Sequence, residues 1–156
     1  MEWGEALRWL HVVGATVLLG AGAGIAFFML MAHRTQDPAL IAHVASTVVI
    51  ADAIFTATAV VVQPITGLLL ARAIGWPLST PWIALSMILY VATGLCWLPV
   101  VWIQWRMRNL ARACAAARQP LPREYHRLFR TWVLLGIPAF AFVLVIVWLM
   151  IARPAL

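Results

Sequence analysis

The sequence predicts an all-α fold, a polytopic membrane protein built as a four-transmembrane-helix bundle, and three observations carry that prediction. Hydrophobic residues make up 65% of the chain, charged residues 10%, and the mean hydropathy is +0.96, well outside the composition of soluble domains. Four apolar runs, about 4–32, 43–71, 82–105 and 131–152, each exceed the roughly 20 residues that a helix rising 1.5 Å per residue needs to cross a hydrocarbon core. Every basic residue is arginine, and seven of the 11 fall between Arg106 and Arg130 against one acid, Glu124. A formal charge of +6 gathered beside a span is the positive-inside signal rather than a nucleic-acid footprint. The 156 residues therefore read as one membrane domain, 1–156, with 106–130 as a cytoplasmic basic segment and both termini periplasmic. Acids stand in MEWGEALRW where a signal peptide has a basic region, so the first helix is expected to be retained. Cys96 lies in a span and Cys114 beyond it, which implies no disulfide framework.

Taken in order, the first span enters at Trp3 or Trp9 and leaves at His33-Arg34, amphipathic anchors of an interface. Its GAGAG stretch sets Gly20 and Gly24 four residues apart, so another helix, or a cofactor, could approach the bare backbone; this face is the expected contact with a second copy or a larger membrane complex. Asp37-Pro38 restarts the chain as the second span, which buries the costly Asp52 and Gln63 and carries Pro64 beside them. Ser79 and Thr80 are candidate caps for the third span, with Pro81 in its first turn. Trp102 and Trp105 form an aromatic belt before the first arginines, whereas Trp97 lies deeper, and RMRNLARACAAAR prolongs the helix until Gln119-Pro120 breaks it. The fourth span holds Pro138 and stops at Arg153-Pro154.

Counting depth along each helix sorts the buried polar residues into two levels. His11, Gln63 and Tyr90 each lie eight or nine positions from the outer ends, roughly 12 to 14 Å deep. Asp52, Trp97 and Pro138 lie as far from the inner ends. The outer level is either three polar residues satisfying one another or a site centred on His11, whose imidazole is a metal ligand or proton carrier. In the second case Gly14 and Ala15 leave room beside the ring for a flat cofactor, and Gln63 or Tyr90 fixes its tautomer through the second ring nitrogen. Asp52 is either a neutral acid hydrogen-bonded to Trp97 or part of a proton relay. His33, His43 and His126 belong to the cytoplasmic side, as solvated interface residues or as a metal site should loops gather them. No HExxH, paired CxxC, P-loop, GxGxxG or GxSxG pattern supports a soluble-enzyme chemistry.

The stretches GAGIAFFMLMAHR, FTATAVVVQPITG, PLSTPWIALSMILY, CWLPVVWIQWRMRNLA and RLFRTWVLLGIPAF together resemble a bacterial integral-membrane family known as a domain of unknown function, twenty-two sixty-nine. That resemblance covers nearly the whole chain and implies four spans in the bacterial inner membrane. Leu10-His11 at the start of the first helix is also similar, more distantly, to HemJ-type protoporphyrinogen oxidases and CopD-type copper-resistance proteins. The HemJ likeness implies a b-type haem with His11 as its axial ligand. His33 cannot complete a bis-histidine site, being 22 residues and so roughly 33 Å along the helix from His11.

Three functions follow as expectations: a haem-associated redox protein handling electrons, a quinol or a porphyrin, with a quinone as the second candidate cofactor; a small transporter lined by Asp52; and an accessory subunit docking through the glycine face.

Overall fold

The computed structural model describes residues 3–155. Its helices are α1 (Trp3–Thr35), α2 (Pro38–Ala51), α3 (Ala57–Ile74), α4 (Pro81–Ala117) and α5 (Arg123–Ala152), with a π-helical turn at Asp52–Thr56 joining α2 to α3. Because α2, the turn and α3 are continuous, four helices long and apolar enough to cross a membrane result, and no strand occurs among the described residues. The all-α four-helix membrane bundle expected from the sequence is the fold observed.

Local chemistry explains the breaks. Asp37 caps α2, its Oδ1 accepting from Ala39 N at 2.8 Å, and Pro38 occupies the first turn where no backbone donor is needed. Gly75 ends α3 at φ +83°, a left-handed conformation that costs glycine nothing. Thr80 starts α4, but its hydroxyl donates backwards to Pro77 O at 2.6 Å and caps no helix amide, so the Ser79/Thr80 capping expectation fails. The arginine-rich extension of α4 continues to Ala117 and ends at Arg118.

Packing is concentrated at the arginine-rich end. Ile25 and Met29 of α1, Ile41 and Val48 of α2, Ile103 and Met107 of α4, and Tyr125, Phe129 and Trp132 of α5 make one buried cluster. At the opposite end the buried cluster is Trp82, Ile83 and Leu149, beside Trp76. In between, α1 packs on α3 and α4 on α5. Exposed residues such as Phe28, Ile88, Leu134 and Ile151 face outward, as lipid requires. Lipid tails are as apolar as leucine, so helix association rests on close packing and on hydrogen bonds worth about 0.6 to 2 kcal/mol each. Gly20 and Gly24 contribute to neither within the chain, since nothing lies within 4 Å of where their side chains would stand.

Candidate functional site

The strongest polar constellation joins α1 to α3 through His11. Gln63 and Thr66 are three residues apart on α3 and so share a face. Gln63 Nε2 donates to the main-chain carbonyl of His11 at 2.8 Å, while Thr66 Oγ1 lies 2.9 Å from His11 Nδ1. Thr66 Oγ1 also lies 2.9 Å from Val62 O and 3.2 Å from Gln63 O, and when its hydroxyl donates to its own helix its oxygen can accept from Nδ1–H of the imidazole. That tautomer leaves Nε2 with an open lone pair. Two glycines permit the approach. A Cβ at Gly14 would stand 2.5 Å from Gln63 Nε2, and one at Gly67 would stand 3.1 Å from Cε1 of the His11 ring.

Depth counting brings His11 and Gln63 to one level, and the structure corrects three details. The space opposite Gly14 is filled by the Gln63 amide, so a flat cofactor does not fit there. The ring nitrogen is held by Thr66, neither by Gln63 nor by Tyr90. Tyr90 instead donates to the carbonyl of Val60. Axial counting resolves depth but not rotational phase, and Val60 is the residue whose carbonyl Pro64 cannot satisfy. Nothing in the sequence set Thr66 apart from Thr58, the other threonine of α3.

The second constellation surrounds the π-helical turn, where Ala57 N reaches back five residues to Asp52 O. Asp52, 5% exposed, accepts from Trp97 Nε1 at 3.3 Å. Thr56 Oγ1, one turn on, is buried without a hydrogen bond, as is Gln104 Oε1 on α4. Gln104 was hidden in WIQWRMR, where the tryptophans read as a belt and drew attention from the amide between them.

At the arginine-rich end, beyond the apolar runs 4–32 and 131–152, His33 stacks on Phe129 with ring centroids 3.6 Å apart and meets His126 edge-on at 5.8 Å. The hydroxyl of Tyr125, fully buried, lies 3.4 Å from His33 Nδ1, and burial pushes its phenol up to about 12, so it stays protonated. Burial, reinforced by the neighbouring His126, lowers the pKa of His33. His43 is exposed, and no group of three metal-ligating side chains exists among the described residues, so His33, His43 and His126 do not gather as a metal site.

These features define a polytopic helical membrane protein with interhelical polar contacts at two depths. Residues 5–154 match the family model described as a predicted integral membrane protein, DUF2269, and the chain belongs to that family. No curated protein and no solved structure matches the chain.

Proposed function

We propose that this chain is a haem-associated redox protein of the bacterial inner membrane, with both termini periplasmic and His11 as axial ligand to a b-type haem. One observation supports the reading above the others: Thr66 Oγ1 stands 2.9 Å from Nδ1 of a histidine inside a span, and with Nδ1–H donating to it Nε2 is left free, the arrangement in which ligating histidines are held. The chain offers His11 as a single ligand, and Gln63 excludes the group from the Gly14 side. When bound, haem supplies one-electron transfer at its iron. The protein's part is to orient the ligand: Thr66 holds the ring, Gln63 pins the main chain at His11, and Gly67 lets the imidazole approach α3.

The test is the optical spectrum of protein purified in mild detergent after haem supplementation. A Soret band is expected that disappears in His11→Ala, weakens or shifts in Thr66→Val, and persists in His33→Ala, His43→Ala and His126→Ala. A colourless wild type ends the haem reading. An accessory role is supported by a separate observation, the glycine face at Gly20 and Gly24 that no helix of the chain approaches. Recovery of a stoichiometric partner lost in Gly20→Leu would favour it.

A further inference from the structure

The three arginines within α4 are engaged by the protein itself. Arg106 pairs with Glu124 at 2.9 Å, Arg108 donates to Asn109 and lies over the Trp105 ring, and Arg112 donates to Ser46 at 2.9 Å. The three arginines that open α5 are not. Arg123, Arg127 and Arg130 are exposed, and their guanidinium groups meet no acceptor among the described residues.

Their spacing of four and then three residues puts them on one face of α5, where at about 100° per residue they fall within roughly 40° of a common line. The same line continues down the helix through Leu134 and Ile137, 70% and 65% exposed. Glu124 stands about 100° around the helix from Arg123 and is already taken by Arg106. Depth fits as well. From Arg130 to Ala152 the helix rises about 33 Å, close to the roughly 30 Å of a hydrocarbon core. Arg130 therefore stands at the edge of the acyl region, with Arg127 and Arg123 about one and two turns further out among the headgroups.

A ladder of guanidinium forks above an apolar strip, on one face of one helix, matches a ligand with a phosphate at one end and hydrocarbon at the other. Arginine binds phosphate through paired N–H groups, and the positive end of the helix adds the same sign. An acidic peptide or a nucleic acid would engage the arginines alone and leave the strip unused.

We propose that Arg123, Arg127 and Arg130 form a binding site for one anionic glycerophospholipid, its headgroup phosphate on the arginine ladder and its acyl chains along Leu134 and Ile137. The same turns of α5 send Tyr125, Phe129 and Trp132 into the main buried cluster, so an occupied site steadies that end of the bundle. This assignment is independent of the haem reading, since it uses no residue of the His11 constellation.

The test is native mass spectrometry of the full chain in mild detergent, titrated with dioleoyl-phosphatidylglycerol or dioleoyl-phosphatidylcholine. One phosphatidylglycerol is expected to bind in preference to phosphatidylcholine and to raise the melting temperature. A basic residue at a membrane surface contributes about fivefold to such binding, so Arg127→Gln is expected to weaken it by that factor. The triple variant Arg123→Gln, Arg127→Gln, Arg130→Gln is expected to weaken it more than about tenfold and to lose the thermal shift. The triple variant Arg108→Gln, Arg112→Gln, Arg118→Gln removes the same charge and is expected to keep both. Arg127→Gln carries the test should a triple variant fail to fold. Equal binding of the two lipids overturns the proposal, as does affinity unchanged in Arg127→Gln or equal loss in the two triple variants. Displacement of phosphatidylglycerol by inorganic phosphate or by hexa-aspartate at equal concentration overturns it too, because the acyl chains would then contribute nothing.

Discussion

Tyr90 repairs what Pro64 breaks. Proline has no backbone N–H, so the carbonyl four residues earlier, Val60 O, loses its helical partner inside the membrane, and the hydroxyl of Tyr90 from α4 donates to that same carbonyl. The bond is also the tie between α4 and the α1–α3 pair at mid-depth.

Removing that donor should therefore cost more than an ordinary surface hydrogen bond. Tyr90→Phe is expected to destabilise the protein by about 1 to 3 kcal/mol, because a buried carbonyl is left unmet. In a Pro64→Ala background, where the backbone amide returns, the same substitution should cost roughly 1 kcal/mol or less. Unfolding in mixed micelles as a double-mutant cycle measures this, and equal costs in both backgrounds would show that Tyr90 does not serve the proline gap.

Gly14→Ala places a methyl group 2.5 Å from the Gln63 amide, closer than any relaxed contact. A loss of about 1 to 3 kcal/mol is expected from overpacking, largely relieved by Gln63→Ala in the same chain. Melting temperatures of the two single variants and the double variant decide it, and additive losses would mean that the pair is not in contact.

His33 is held neutral against Phe129, and burial together with His126 lowers its pKa relative to the unfolded chain, where it titrates near about 6.5. Between those two values the unfolded state binds more protons, so stability rises with pH there. The contribution is fully present above about pH 6.5, declines as pH falls toward the lowered value of the folded state, and levels off below it. His33→Phe, which keeps the stack, should flatten this part of the stability profile. An unchanged slope in that variant would assign the pH dependence to other groups.

By the positive-inside rule the seven arginines between Arg106 and Arg130 are expected on the cytoplasmic side. A reporter active only in the periplasm is expected to work when fused after Leu156 and to fail when fused after Gln119. The reverse pattern would invert the bundle.

The four spans, the Asp37-Pro38 restart and the end of α4 near Gln119-Pro120 were legible because hydropathy, proline and arginine act locally. The shared depth of His11 with Gln63, and of Asp52 with Trp97, was legible because rise per residue is constant. Thr66 was not, since its role depends on which way α3 is turned toward α1, and that phase is set by packing of Gly14 and Gly67 rather than by composition. The π-helical turn was equally hidden: DAIFT is an ordinary apolar stretch, and the extra residue per turn that turns Asp52 and Thr56 inward leaves no compositional mark. Tyr90 went astray for the same reason, being assigned by depth when the unmet carbonyl at Val60 was the stronger attractor.

The uneven distribution of the core sets an order of mechanical failure. The start of α1 and the end of α5 lie at the end of the bundle where the buried cluster is Trp82, Ile83 and Leu149, opposite the one that knits Met29, Ile41, Met107 and Tyr125 together. A force applied to the start of α1 and the end of α5 is expected to peel the α1–α3 and α4–α5 pairs apart like the legs of a clothes-peg, with the methionine and tyrosine plug at the arginine-rich end as the spring that resists longest.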